Sequence, residues 1–563
     1  MGKRSKKKTR APKPAPKPPA VTGETLRPKP KAFDWRRILQ VLLIVAAGLW
    51  IYRPVLHGDW LMDDVNYITQ NLLLRDTAGL WKIWFEPGSF IEYYPLKASV
   101  EWIEWNLFGN DTFGYHLTNV VLHVVNALLV WRLLAKFGLR LAWLGGLIFA
   151  IHPAMVESVA WISELKNTLS LPPFLLAMGA WIDYEERKRR RDYWLALGLF
   201  LVAMLCKISM APFPVVILLY AWWKRGRVGW SDLKASAPFF VISLTLGVVS
   251  IAVGSWFQQH YMPVLDAVPM GGFFSRLACA GLALSQYLFN CLLPVNLMPI
   301  YPRWEVDPPS LPQFLPWPIL GGIVYGLWRK RRGWGRHGLL GLGFFVLNLM
   351  PFLGFKTVSY MSFTWVMDHF LYIPILGLIG LAVAGLERID GRLSPVLRPF
   401  EIAIIGVAMT LLVFESRGYA KIFSREETLS TYALRHNPGA WTAHDTLGNA
   451  LQRSGRLNEA MYQFREALRI KPDYVESRYN LGNTLLSAGR YPEAIEQYEQ
   501  VLKVQPNYPK AHNNLAVTLA QMGRFPEAIE QFHAELQLYP DDADTRDNLA
   551  KVENLQKMVP VKH

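Results

Sequence analysis

Apolar stretches that suit membrane helices recur through the first 415 residues, and they restrict the fold more than any other feature. The first, from Ile38 to Leu56, contains Tyr52-Arg53-Pro54 near its end rather than a signal-peptide cleavage site, so it predicts a span. A content of 52% apolar residues with 22 Trp also exceeds what a soluble protein needs. We therefore expect a polytopic helical membrane domain over residues 35–420, with further stretches near 115–135, 140–152, 168–184, 193–206, 208–223, 237–257, 273–299, 313–328, 337–356, 369–386 and 398–415.

The N-terminal tail, residues 1–34, is strongly basic. Eleven Lys and Arg lie within residues 1–31 among Pro and Ala, and they supply much of the net charge of +16. No aromatic residue that could stack on a base lies among them, so nucleic acid is not an expected partner. We expect a disordered tail on the cytoplasmic face, beside anionic lipid.

The basic loops predict the topology. They are Glu185 to Arg191, Lys224 to Arg227, Arg329 to Arg332 and Glu387 to Arg398, and the positive-inside rule places all four in the cytoplasm. Three apolar stretches separate the second loop from the third, where only an even number of crossings is allowed. The middle one, 273–299, contains Arg, Gln, Asn and Pro, so we interpret it as re-entrant, interfacial or a broken hairpin.

About eleven crossings result. The N-terminus is then cytoplasmic, the loop 57–114 faces outward, and everything after Phe414 lies on the non-cytoplasmic side. In a Gram-negative organism this arrangement means an inner-membrane protein whose C-terminal part is periplasmic.

The C-terminal part repeats with a period of 34 residues. The period superposes Gly-Arg, Glu-Ala and Pro positions of three units, 441–474, 475–508 and 509–542, which predicts tetratricopeptide helical hairpins. Segments before and after them extend the predicted domain to 421–558. In the groove that such repeats form, side-chain amides could hold a peptide backbone, and the alternative is a solvated helix face. The candidate amides are those of Asn449, Asn480, Asn483 and Asn514.

The outward loops concentrate ionisable residues. Asp63 and Asp64 end the run Gly58-Asp59-Trp60-Leu61-Met62-Asp63-Asp64, and adjacent carboxylates beside a bilayer suit a general base or a divalent cation, unless they only cap a helix. Ionisable groups at membrane depth are expensive and usually functional. The further outward candidates are His152, Glu157, Glu164, Lys166, Lys207, Arg303, Asp368 and His369.

Polar residues also share one face of the second span. His116, Asn119, His123 and Asn126 follow helical spacing, and interhelical hydrogen bonds explain them better than a metal, because no carboxylate shares the stripe. The three cysteines, at 206, 279 and 291, have neither metal-ligand nor disulfide spacing. No metal site is therefore expected from these residues.

The combined motifs resemble transmembrane-and-tetratricopeptide-repeat (TMTC-type) proteins of the GT-C superfamily of lipid-donor glycosyltransferases. The resemblance rests on Asp63-Asp64, Tyr94-Pro95-Leu96, Gly114-Tyr115-His116-Leu117, His152-Pro153, Val156-Glu157-Ser158-Val159-Ala160-Trp161, Glu164, Lys166, Lys207, Asp368, Leu371-Tyr372-Ile373-Pro374 and the repeats. It implies an all-α, GT-C-like fold, Asp63 or Asp64 as general base, and Lys166, Lys207, Arg303 or His369 as ligands of a departing lipid phosphate, with His116, His152, Glu157, Glu164 and Asp368 in support.

Four residues depart from the usual pattern of that family. Met155 stands where His is frequent, Leu165 where Arg is common, Asn167 where Asp is common, and His369 where Arg is usual. These departures affect the expected anion contacts and the donor, whereas the acid pair is intact.

The resemblance implies transfer of a sugar from a polyprenyl-phosphate donor to a Ser or Thr hydroxyl of a protein held by the repeats. It implies no specific cofactor; a divalent metal stays open, and would suit a pyrophosphate donor better than a monophosphate. One alternative is a non-catalytic membrane scaffold for secretion or pilus assembly. The other is a glycosyltransferase that acts on an envelope glycan or lipid.

Overall fold

A computed structural model describes Gly2 and residues 34–86, 92–261, 270–355 and 358–558. The predicted basic tail, residues 1–34, lies outside this part of the chain except for Gly2 and Asp34. The described residues form helices and connecting segments without a strand, which confirms the predicted all-α fold.

Fifteen helices make up the N-terminal region within the described ranges. Their bounds are α1 Trp35–Tyr52, α2 Thr77–Phe85, α3 Pro95–Phe108, α4 Thr112–Lys136, α5 Ala142–Ile151, α6 Val156–Ala160, α7 Leu165–Arg187, α8 Arg190–Cys206, α9 Phe213–Arg225, α10 Trp230–Tyr261, α11 Phe273–Leu292, α12 Pro316–Arg329, α13 Gly335–Leu349, α14 Ile375–Asp390 and α15 Arg398–Ile422.

The C-terminal region consists of helical hairpins. Its helices are α16 Glu426–His436, α17 Trp441–Arg453, α18 Leu457–Ile470, α19 Val475–Ser487, α20 Tyr491–Val504, α21 Ala511–Gln521, α22 Phe525–Leu538 and α23 Ala543–Met558. The small residues Ala460, Ala494 and Ala528 are fully buried where the helices of each hairpin meet. At Gly482 an added Cβ would lie 2.8 Å from the Tyr498 ring, so glycine allows this close approach. The predicted tetratricopeptide solenoid is therefore confirmed.

The four basic loops gather at one end of the N-terminal bundle, called here the basic end. Arg225 at the end of α9 pairs with Glu185 at the end of α7. Trp222 stacks on Trp328 of α12 with ring centroids 5.9 Å apart, and the backbone N–H of Leu141 donates to Glu387 at the end of α14 (2.6 Å). The loops that the positive-inside rule assigns to one side are thus neighbours in space.

The eleven predicted crossings correspond to α1, α4, α5, α7, α8, α9, α10, α12, α13, α14 and α15. Four of them meet the length and hydropathy of a membrane span by themselves: Thr112–Lys136, Trp230–Trp256, Arg398–Ile422 and, with the turn that follows it, Trp35–Val55. Others are short; α5 has 10 residues, against about 20 needed to cross a bilayer core. The region is a polytopic membrane domain, and the number of eleven crossings stays a prediction.

The segment predicted not to cross, 273–299, is a continuous helix over Phe273–Leu292, so the alternative of a broken hairpin is wrong. Ser275 near its beginning donates to Asp307 (3.2 Å), which lies on the connection leading into the start of α12. Asn290 near its end donates to Asp368 (2.8 Å). The first and last residues of α11 therefore lie on the side of the bundle opposite the basic loops. The even number of crossings between the second and third basic loops requires this.

The repeats contact the same end of the bundle. The backbone N–H of Asp59 donates to the carbonyl of Ser424 (3.0 Å), and that of Met62 donates to the buried carboxylate of Glu426 (3.2 Å). Tyr432 donates its hydroxyl to the carbonyl of Leu297 (3.0 Å). These contacts fix the first repeat helix, α16, beside the two acidic residues at 63 and 64.

This arrangement makes a prediction about sidedness. With the three native cysteines replaced by alanine, single cysteines at Lys82 and Lys503 are expected to react with an impermeant maleimide from one side of sealed vesicles. A cysteine at Arg332, in a basic loop, is expected to react only from the other side. Labelling of positions 503 and 332 from the same side would contradict the described placement of the repeats.

Candidate active site

Asp64 is a structural carboxylate. It lies in the loop after α1 and is fully buried. One of its oxygens accepts from the Leu61 backbone N–H (2.9 Å), and the other accepts from the backbone N–H (2.8 Å) and hydroxyl of Ser163. Burial raises the pKa of Asp64 to about 7, although these hydrogen bonds oppose the rise and Asp63 adds to it. Asp64 thus holds the outer loop against the turn before α7.

Asp63 has the opposite character. Its side chain is exposed, and no hydrogen bond to its carboxylate is formed within the described residues. The surrounding protein removes part of the water around the Asp63 carboxylate, and this desolvation raises its pKa. The positive charge of Lys166 opposes the rise, and the negative charges of Glu92, Glu164 and Glu476 add to it. The adjacent acids, which the sequence left unresolved, therefore differ. Both oxygens of Asp64 accept hydrogen bonds, whereas the carboxylate of Asp63 accepts none from the described residues and can take up a proton.

A sharp break between α5 and α6 places the next polar residues. Pro153 follows the end of α5, and the chain bends by 60° before α6. Glu157 of α6 accepts from the backbone N–H groups of Asp368 (3.0 Å) and His369 (3.3 Å), and its other oxygen contacts His369 Nδ1 (2.7 Å). The break thereby joins two outer loops that lie about 200 residues apart in the chain.

Glu164 is the centre of a second set of contacts. Its oxygens lie 3.4 Å from Lys166 Nζ, 3.9 Å from His369 Nε2 and within hydrogen-bond distance of the amide of Asn167. The carbonyl oxygen of the Asn167 side chain accepts from the buried ammonium of Lys207 (2.5 Å). A continuous chain of charged and polar groups therefore connects Lys207 through Asn167 and Glu164 to His369 and Glu157.

The two lysines differ in how their charge is balanced. Lys166 lies between Glu164 and Glu92, at 3.4 Å from each. Lys207 makes no ion pair within the described ranges; its partner is the neutral Asn167, and the rings of Phe352 and Phe370 lie at 6.0 and 5.8 Å. Lys207 therefore keeps a positive charge available to a ligand, at the cost of burial.

Arg303 and His152 lie apart from this chain of contacts, and Asp368 joins it only through its backbone N–H. Arg303 donates to the carbonyl of Ser362 (3.0 Å) and stacks on Trp365 at 4.4 Å. His152 is buried and lies 3.0 Å from the carbonyl of Cys291, where it joins the α5–α6 break to α11. Asp368 is fully buried and accepts from Asn290 and Tyr301.

The polar stripe of α4 makes the interhelical hydrogen bonds expected of it. His123 contacts the hydroxyl of Tyr372 (3.0 Å), and Asn126 donates to the carbonyl of Thr168 (2.8 Å). His116 does not follow this pattern: it is buried, and neither ring nitrogen has a hydrogen-bond partner among the residues described. It packs instead beside Gly58, where a Cβ would meet its Nε2 at 3.2 Å.

Sequence reasoning missed the partners of the predicted residues. Ser163 and Glu92 carry no motif of their own, although Glu92 precedes the Tyr94-Pro95-Leu96 motif and its charge falls in an outward loop. A further buried ion pair, Lys97 with Glu101 at 2.6 Å, lies behind Glu92 on α3. The i, i+4 spacing of Lys97 and Glu101 could have indicated this ion pair from the sequence.

The predicted asparagines lie together on the first helices of the repeats. Asn483 accepts from the side-chain amide of Asn514 (2.8 Å) and the hydroxyl of Tyr498 (2.7 Å). Asn449 and Asn480 donate to the buried Asp445 at 3.2 and 3.4 Å. Burial raises the pKa of Asp445 to about 7, and Glu476 adds to the rise. Asn449 and Asn480 are thus fixed by Asp445, and Asn483 and Asn514 by each other; their binding of a peptide stays a prediction.

Among the described residues, no group of three or more His, Cys, Asp or Glu side chains has an arrangement that could hold a metal ion. Cys206, Cys279 and Cys291 are free thiols. The expectation of a donor substrate without a resident cofactor stays a prediction.

Comparison with known proteins matches two regions to families. Residues 95–256 match the dolichyl-phosphate-mannose-protein mannosyltransferase family, and residues 448–489 and 479–543 match tetratricopeptide-repeat families. The protein O-mannosyl-transferase Tmtc3 of Drosophila melanogaster is 25% identical, covering 78% of this chain and 56% of that protein. The mouse protein O-mannosyl-transferase TMTC3 is 23% identical, covering 78% of this chain and 52% of its own length.

The chain is similar to the TMTC-type proteins and, over residues 95–256, to a GT-C family. The protein O-mannosyl-transferase F38B6.6 of Caenorhabditis elegans adds a third relative, 21% identical over 78% of this chain and 63% of that protein. The chain thus spans little more than half the length of the curated TMTC-type relatives it matches. Among solved structures, the crystal structure of MamA matches 23% of this chain and 77% of its own length at 17% identity, with a TM-score of 0.23.

The contrast between the two acids predicts different effects on stability. Asp64→Ala would leave the backbone donors of Leu61 and Ser163 buried without partners, at about 1–3 kcal/mol for each. We expect a clear fall in the thermal unfolding temperature of the detergent-purified protein, followed by tryptophan fluorescence. Asp63→Asn, the matched control, is expected to unfold at the wild-type temperature, and an equal loss in both variants would contradict the distinction.

Proposed function

We propose that this protein is a membrane glycosyltransferase that moves mannose from a polyprenyl-phosphate donor to a Ser or Thr hydroxyl of a protein acceptor. The TMTC-type relatives are named protein O-mannosyl-transferases, and the matched family is named for dolichyl-phosphate-mannose. The observation that carries the proposal is the free carboxylate of Asp63, held between the buried polar chain of the bundle and the repeats.

Asp63 is proposed as the general base. A base must accept the acceptor's proton, and the Asp63 carboxylate has no donor from the described chain, whereas Asp64 accepts three hydrogen bonds. The pKa of each acid is raised, toward the range that suits a base, so the open carboxylate of Asp63 rather than its pKa distinguishes it from Asp64. Asp64 is proposed to position Asp63 by fixing the backbone next to it.

Lys207 is proposed as the main ligand of the departing lipid phosphate. Its buried ammonium is held by a neutral amide, so a phosphate would supply the missing countercharge. An aspartate in place of Asn167, as is common in the resembling family, would neutralise this lysine in part. Lys166 and His369, each already beside a carboxylate, are proposed to orient Glu164 and to share in binding the anion.

The reaction is then a single displacement or its dissociative equivalent. The acceptor oxygen forms a bond to the anomeric carbon as its proton passes to Asp63, and the bond from that carbon to the phosphate oxygen breaks. Electrons of the broken bond remain on the lipid phosphate, where positive charge stabilises them. The proposed step balances without a metal.

The repeats are proposed to bind the acceptor. Their first helix is fixed to the loop that carries Asp63 by the Glu426 and Ser424 contacts, so a peptide held on α17, α19 and α21 would have a high effective concentration at the base. Amide groups of Asn449, Asn480 and Asn483 could hold its backbone, and Asn514, whose amide donates to Tyr479 and Asn483, would fix the position of Asn483. Glu476 of the second repeat lies close enough to influence the pKa of Asp63.

The orientation belongs to the same proposal. The gathered basic loops are proposed to be cytoplasmic, and the repeats and Asp63 to face the periplasm of a bacterial inner membrane. The N-terminal tail would then lie in the cytoplasm.

Measurements of mannose transfer by single variants are predicted to identify the residues that carry the reaction. In membranes with matched amounts of protein, Asp63→Asn is expected to reduce transfer of radiolabelled mannose from polyprenyl-phosphate-mannose to protein by about 10²–10⁴-fold, the usual contribution of a general base. Lys207→Met is expected to reduce it similarly, whereas Lys82→Met, which removes an exposed charge of the outer loop, should leave it unchanged. Wild-type transfer by Asp63→Asn would contradict the assignment of the base, and no labelling of protein by the wild type with this donor would favour a scaffold.

The pH dependence offers an independent check. Because Asp63 acts as the ionised base, kcat/KM should fall as the pH drops through its raised pKa. Glu476→Gln removes a negative charge that raises this pKa. The acidic limb of the pH profile of kcat/KM should therefore move to lower pH. Glu496→Gln, on the second helix of the same repeat, is the control and should not move the limb. An unmoved limb in Glu476→Gln would contradict the proximity of the groove to the base.

A further inference from the structure

A recess lies where α1 and α15 end side by side, on the outside of the bundle. It has a volume of about 560 Å³ and is lined by Arg53, Pro54, Phe414, Arg417, Gly418 and Lys421. On the adjoining face of α15, Ser416 donates its hydroxyl to the carbonyl of Ile151, and Tyr419 is buried. The recess therefore faces away from the core that carries the proposed active site.

Three of the six lining residues are cations, and none is acidic. Arg417 is fixed in place: it donates to the carbonyl of Trp50 and stacks on the ring of that residue at 4.2 Å. Throughout the described ranges, the side chains of Arg53 and Lys421 form no ion pair. The ends of two helices contribute roughly −0.5 charge each, against three full positive charges, so a net positive charge remains.

The surroundings of the recess are those of a membrane interface. Both candidate spans, Trp35–Val55 and Arg398–Ile422, end here. Trp50 and Phe414 are exposed and pack edge to face at 5.7 Å, as in an aromatic belt, and the exposed Val407 and Leu411 continue along α15. This end lies opposite the basic loops. The positive-inside rule does not predict clustered cations at this end, so their presence here calls for another explanation.

We propose that this recess binds the phosphodiester headgroup of an anionic glycerophospholipid, whose acyl chains lie along the exposed apolar face of α15. The phosphate would bridge Arg53 after α1 with Arg417 and Lys421 of α15. Without an anion these like charges repel one another across the two helices, and a bound phosphate removes that repulsion. The site is separate from the proposed transfer of sugar and does not depend on it.

The site can be tested on the full chain by native mass spectrometry in detergent, with dioleoyl-phosphatidylglycerol as the probe. The test variant is the double substitution Arg53→Gln, Lys421→Gln, which leaves the packing of Arg417 on Trp50 intact. The matched control, Lys82→Gln with Arg435→Gln, removes two exposed charges from the same end of the protein. The test variant is expected to weaken binding of the first lipid by about tenfold or more, and the control should bind as the wild type does.

Competing ligands distinguish the sources of the phosphate. Dioleoyl-phosphatidylcholine, with no net charge, is expected to bind at least tenfold more weakly than phosphatidylglycerol. Inorganic phosphate at the same concentration is expected not to displace the lipid, since it lacks acyl chains. Equal binding of the two lipids, displacement by inorganic phosphate, or equal loss in the test and control variants would each overturn the proposal.

Discussion

The carboxylate of Asp64 is the interaction on which the outer end of the molecule depends. Its two oxygens join the loop after α1 to Ser163, a residue 99 positions later in the chain. Because Asp64 is fully buried, losing any of these hydrogen bonds would strand a donor in a place without water. The same hydrogen bonds fix the backbone at Asp63, whose carboxylate is thereby presented without a partner of its own.

Buried charge is the second constraint, and the bundle meets it by connecting charged groups to one another. Glu157 is satisfied by two backbone donors and His369, and Glu164 by Lys166 and Asn167. Lys207 is the exception, because its partner is a neutral amide. Burying an ammonium without a countercharge is costly, and the lipid phosphate that we propose as its ligand would supply that charge.

Hydropathy, basic loops and a period of 34 are local signals, so the sequence was sufficient for the all-α class and the repeats, but not for the short outer helices α2, α3 and α6 or for the path of α11. It could locate the acid pair but could not separate its members, because the partner that distinguishes them, Ser163, carries no motif. Arg303 was placed in the phosphate site by its outward position. Its side chain contacts Trp365 and Ser362, a direction that no pattern in the sequence encodes, and its role as a phosphate ligand stays a prediction.

The attachment of the repeats determines what the site can do with a protein acceptor. A solenoid on a flexible linker would sample many positions, whereas here the helix α16 begins four residues after α15 ends and is fixed to the loop of Asp63 through Glu426. Arg453 of α17 pairs with the same glutamate, so the first repeat shares that anchor. In the proposed function, a segment held in the groove would be delivered from a fixed direction, and the distance from groove to base, rather than a sequence motif in the acceptor, would select which hydroxyl reacts.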